Sequence, residues 1–104
     1  MRFKNLEYSK KTIGGYFLLY IDSTYSELCS LLGEPKGKSS IDGKVRVEWI
    51  IELENKVVFT IYDWKEYDTP IEEVTIWHVG GEDKDLPYIR DFLFNDLSLI
   101  EFYL

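Results

Sequence analysis

The chain has 104 residues, 45% of them hydrophobic and 16% aromatic, and a net charge of −7, enough for one core but too little for a catalytic plus a regulatory domain. One cysteine excludes an intrachain disulfide, and no run approaches the roughly 20 apolar residues of a membrane span. Met1-Arg2-Phe3-Lys4 also lacks a signal peptide's apolar stretch, so one domain over residues 1–104 in the cytoplasm is expected, a host's cytoplasm if the chain is viral.

Arg2 to Tyr8 and Tyr16 to Ile21 read as two strands around the turn pair Gly14-Gly15, and hence as a hairpin. Thr24-Tyr25-Ser26-Glu27 has the spacing of a capping box, and Leu28, Leu31 and Leu32 then mark a helix that Gly33 closes and Pro35 prevents from continuing. Gly33-Glu34-Pro35-Lys36-Gly37-Lys38-Ser39 has three residues between its glycines where a phosphate-binding P-loop needs four. It also follows a helix instead of a strand, so a surface loop is expected.

From Lys44 to Leu53 the alternation is strict at five positions: Val45, Val47, Trp49, Ile51 and Leu53 share one face, and Lys44, Arg46, Glu48 and Glu52 lie on the other. Glu54-Asn55-Lys56 turns this strand into another over Val57 to Trp64, and Thr69-Pro70 separates it from a third over Glu73 to Val79 that Gly80-Gly81 ends. Asp83 or Asp85 is placed to cap a second helix with Leu86, Ile89, Phe92 and Leu93 on its inner face. Leu97 to Leu104 fits a last strand. The sum is an α+β domain of order ββ-α-βββ-α with an optional C-terminal strand, a curved antiparallel sheet carrying both helices on one face.

The charge is uneven. Residues 63–104 hold three Lys/Arg against eleven Asp/Glu, whereas residues 1–62 hold nine against eight. An acidic field repels phosphate backbones, so no direct nucleic-acid binding is expected; it can attract a basic protein or occupy its nucleic-acid groove. No cofactor is implied. Cys29 lies in the apolar run Leu28-Cys29-Ser30-Leu31 and reads as a small core residue, and one Cys and one His cannot make a zinc site. Glu82, Asp83 and Asp85 beside His78 have oxygen ligands for a hard cation but no calcium-loop spacing, and helix-start carboxylates need no metal to explain them.

Strand alternation puts Tyr62 and Trp64 on one face and Val57, Phe59 and Ile61 on the other. With Lys65 and either Trp77 or His78, these aromatics have the composition of interface anchors, next to the carboxylates Glu82, Asp83 and Asp85. A small enzyme or anion binder is the alternative. It would use His78 with Asp63 as an acid/base pair and the amides of the Gly80-Gly81 turn. A virion component or a homodimer formed through the sheet is a further alternative.

The words Glu48-Trp49, Ile61-Tyr62-Asp63-Trp64-Lys65 and Trp77-His78-Val79-Gly80-Gly81, preceded by the helix end Leu31-Leu32-Gly33-Glu34-Pro35, resemble a group of small proteins of unassigned role encoded in bacteriophage and prophage genomes. The resemblance spans roughly residues 12 to 94. It implies an accessory protein of a virus or mobile element that binds and inhibits a host defence or nucleic-acid-handling protein, and it brings no catalytic residue with it.

Overall fold

The computed structural model describes residues 1–12 and 16–104. Among them six strands, β1 (Phe3–Leu6), β2 (Tyr16–Asp22), β3 (Glu48–Leu53), β4 (Val58–Tyr62), β5 (Ile76–Gly81) and β6 (Ile100–Phe102), pair antiparallel throughout in one sheet. Their order is β1-β3-β4-β5-β2-β6, so β1 and β6 are the edges. Helix α1 (Tyr25–Leu32) and helix α2 (Leu86–Arg90), which runs on into a π-helical turn over Asp91–Asp96, bury their apolar residues on one face of this sheet. The expected α+β class and the C-terminal strand are both present. No helix among the described residues is long and apolar enough to cross a membrane.

Alternation decides which side chains meet the helices. Trp49, Ile51 and Leu53 of β3, Phe59 and Ile61 of β4, and Trp77 and Val79 of β5 are almost wholly buried against Leu28 and Leu32 of α1 and Ile89, Phe92 and Leu93 beyond it. Two tryptophans also hold the ends of α1. Trp77 Nε1 donates to Ser23 O at 3.1 Å before the helix, and Trp49 Nε1 donates to Gly33 O at 2.8 Å after it. Both indoles thereby satisfy their one donor inside the core. Asn5 Nδ2 reinforces the second contact, donating to Leu32 O and Glu34 O.

Several expectations are corrected. The first two strands do not form a hairpin: β1 pairs with β3, and β2 lies between β5 and β6. The Gly14-Gly15 turn expected to join them lies outside the described residues. β3 begins at Glu48 and not at Lys44, because the Asp63 carboxylate takes the amides of Arg46 and Val47 at 2.8 and 3.0 Å where a ladder carbonyl would. The capping box is half formed: Thr24 Oγ1 accepts from the Glu27 amide at 3.1 Å, but the Glu27 carboxylate accepts from the Ser23 hydroxyl instead of turning back to the cap. Neither Asp83 nor Asp85 caps α2 with its side chain; both sit in a 3-10 turn that leads into it.

Gly80 and Gly81 are not a turn. They belong to β5, opposite Phe17 and Tyr16 of β2. The reason for glycine here is close approach: a Cβ on Gly80 would lie 3.1 Å from Thr60 Oγ1, and one on Gly81 would lie 3.2 Å from Leu18 Cδ1 and 3.3 Å from Ile89 Cδ1.

Candidate binding surface

The sheet face opposite the helices carries a line of aromatic residues. Cross-strand register sets Glu48, Tyr62, His78, Tyr20 and Phe102 side by side on β3, β4, β5, β2 and β6. His78 is the hub: its ring centroid lies 4.9 Å from Tyr20, 5.3 Å from Phe17, 5.4 Å from Tyr62 and 6.3 Å from Trp64. Such tilted and edge-on contacts suit the ring quadrupoles. Phe17 and Trp64 are the exposed ends of the cluster, at 45% and 40% exposure.

A bulge in β2 makes this arrangement. The register shifts between Phe17 and Leu19, so Phe17 faces Gly80 and Tyr20 faces His78 although three positions separate them. Without the bulge, Phe17 would join Leu19 and Ile21 in the core. The far end of the same face is covered by the 3-10 turn Lys10–Thr12, where Lys11 Nζ donates to Lys56 O at 2.7 Å. Val58 and Thr60 are buried at that end.

Between these two parts lies a cleft of about 360 Å³ lined by Lys11, Glu48, Thr60, Tyr62, Trp64 and Gly80, among others. Burial pushes the Glu48 carboxyl and the Tyr62 phenol upward from their ordinary values. It pushes His78 downward, against the nearby charges of Glu66 and Asp63, which favour its protonation. Among the described residues His78 Nδ1 is buried without a hydrogen-bond partner, and the ring packs between its aromatic neighbours.

The expected residues separate into three groups. Tyr62, Trp64 and His78 come together on the open face, and Lys65 places its ammonium 5.7 Å from the Trp64 ring centre, with Lys44 at 5.9 Å. Trp77 leaves the surface: it is fully buried, and of the alternative pair only His78 faces outward. Glu82, Asp83 and Asp85 follow the opposite end of β5, where Glu82 and Asp85 line a shallow depression with Lys11 and Lys56 and Glu82 pairs with Lys84 at 3.3 Å. They follow directly on Gly80 and Gly81, which line the cleft, and Lys11 borders both the cleft and this depression. In the chain after Trp64, the loop to β5 adds Glu66, Asp68, Glu72 and Glu73. No group of three or more His, Cys, Asp or Glu side chains among the described residues could hold a metal ion.

Asp63 is likewise committed elsewhere. Fully buried, it accepts from Arg46 Nε at 3.0 Å besides the two amides, while Arg46 Nη1 donates to Thr69 O at 2.7 Å. No hydrogen bond joins Asp63 to His78 among the described residues, and the glycine amides expected to hold an anion belong to a β-ladder. Among the described residues the two therefore do not form the hydrogen-bonded couple expected of them. Cys29 is half-buried beside Tyr25, whose phenol is pushed up to about 12, chiefly by burial.

Sequence reasoning missed Phe17, Tyr20, Phe102 and the cleft position of Glu48. A bulge leaves no trace in hydrophobic period, and the partnership of β2 with β5 is a long-range pairing that no local pattern encodes. Glu48 had a usable signal: it shares a face with the polar residues of β3, and the hairpin register alone sets it opposite Tyr62. Comparison with protein-family models, curated proteins and solved structures found no match.

Proposed function

We propose that this chain is a non-enzymatic binding protein, an accessory factor of the phage or prophage kind its sequence words resemble, which engages and inhibits a host protein through the open face of its sheet. The observation that carries this reading is the aromatic row centred on His78, on the face opposite α1 and α2 and ending in the exposed rings of Phe17 and Trp64. Rigid aromatics bury much area for little lost entropy and dominate interface energetics. The acidic loop after Trp64 favours a basic partner and speeds encounter with it. A host protein that handles nucleic acid fits this charge, and the chain would then compete for the groove that holds DNA or RNA.

The test is affinity capture from bacterial host lysate with the wild type and Trp64→Ala. A partner held by the wild type and lost by Trp64→Ala is expected. Capture that the substitution leaves intact would remove the aromatic face from the proposal. Competition by DNA and a steep loss of binding with salt are the signatures of groove mimicry; salt-insensitive binding would eliminate that version. Light scattering addresses the alternative of a homodimer, for which a stable dimer dissociated by Trp64→Ala would replace the host partner.

A further inference from the structure

Glu48 is the one carboxylate that the aromatic row and the cleft share, and its surroundings are unusual for an acid. It is half-buried, and it makes no hydrogen bond or ion pair through its side chain among the described residues. Burial pushes its carboxyl upward from the ordinary value, and no ion pair among the described residues offsets this. A desolvated carboxylate without a partner is costly to the free protein and becomes favourable once a cation arrives.

The walls beside it suit a flat cation. Tyr62 stands directly across the ladder from Glu48, Trp64 lies 6.3 Å beyond Tyr62 between ring centres, and Gly80 leaves open the space that a side chain would fill against Thr60 and Tyr62. The cleft's roughly 360 Å³ is at the small end of ligand pockets and accepts one long side chain better than a cofactor. Lys11 also lines it, with one of its three donors held by Lys56 O, and the residue is exposed, so solvent screens its charge where Glu48 is screened little. Lys44 and Lys65 lie 5.9 and 5.7 Å from the Trp64 ring centre, and Lys44 is paired with Asp42 at 3.4 Å. An anion in the cleft would meet the unpaired Glu48 directly.

We propose that this cleft receives one arginine side chain of the partner protein, its guanidinium paired with the Glu48 carboxylate and stacked against Tyr62 and Trp64. The inference rests on the protein-binding reading and names the chemistry of its contact. Arginine fits better than lysine because a planar fork matches both the carboxylate and the ring faces, where an ammonium meets only the charge.

The test is an NMR titration of the ¹⁵N-labelled full chain with N-acetyl-arginine methylamide and with the citrulline counterpart, which keeps the shape and loses the charge. Saturable shifts are expected at Glu48, Thr60, Tyr62 and the Trp64 indole, with citrulline at least about tenfold weaker and Glu48→Gln losing the preference. Equal response to the two probes, or shifts scattered over the surface, would overturn the inference. Should Glu48→Gln not fold, the two-probe comparison on the wild type still decides. Lysate capture lost in Trp64→Ala without arginine binding sinks the cation site alone, whereas selective arginine binding with no captured protein keeps the site and removes the host-protein reading.

Discussion

Asp63 receives three donors on its two oxygens at the point where the chain leaves the ladder, and through Arg46 it ties down the loop at Thr69. Removing it strands two amides and a guanidinium together. Asp63→Ala should cost about 3 kcal/mol in urea denaturation, and a loss under about 1 kcal/mol would refute this assignment. His78 makes a different prediction because its pKa is lowered by burial from 6.5. The unfolded chain then binds the proton more readily, so this contribution to stability is full above about pH 6.5 and declines as the pH falls toward the depressed folded value. In His78→Gln the stability difference between about pH 7 and pH 5 should be smaller than in the wild type. Glu48 works in the opposite sense: its carboxyl is raised from 4.5 by burial, so its ionisation at neutral pH weakens the fold. Glu48→Gln should leave stability at pH 7 unchanged or higher, while a clear loss would mean that the side chain has a structural partner.

At the scale of elements, α1 is the one whose boundaries are explicable from both levels. Thr24 accepts the Glu27 amide, and Gly33 takes a φ of 92° with its amide donating to Cys29 O. Thr24→Ala should therefore cost about 1 kcal/mol, as N-cap losses do, measured as a shift of the urea midpoint at constant slope. This helix, the β3–β4 hairpin and the inward positions of α2 and its π-helical extension were legible because each depends on residues a few positions apart. The inward faces of β3 and β4 followed from strict alternation. What escaped was long-range: the placement of β2 between β5 and β6, the bulge that turns Phe17 outward, and the recruitment of Asp63 into backbone pairing. The Gly80-Gly81 pair was misread for a related reason. Two adjacent glycines signal a turn when read locally, whereas here the neighbouring strand and the helix side chains demand the missing Cβ atoms.

For the whole molecule, an asymmetric sheet is the governing fact: one face holds the core under two helices, and the other presents aromatics with half-buried tyrosines and a histidine. Antiparallel sheets commonly leave one face to water, and that face is then ordinarily polar. Here the row from Tyr62 to Phe102 is not, which is why a partner is proposed for it. The candidate site was half legible. Tyr62, Trp64 and His78 were visible as sequence words, but Phe17 and Tyr20, which complete the cluster around the histidine, were not.

The strand order also governs the time course of folding. β2 occupies an interior place in the sheet, yet both of its partners lie more than fifty residues further along, at Ile76–Gly81 and Ile100–Phe102. A ribosome must therefore deliver the chain through β5 before this early, apolar segment finds any ladder, and the β3–β4–β5 meander is the natural nucleus. Refolding should take milliseconds to seconds, in keeping with non-local topology. Ile61→Val in the meander should slow folding, whereas Ile21→Val in β2 should chiefly speed unfolding; stopped-flow chevrons of the two variants would show the contrast, and equal effects on the folding limb would contradict it. Until that last closure, Tyr16–Asp22 is an unpaired strand searching for a slot between two others, the stage at which a crowded cell would most readily divert the chain into aggregation.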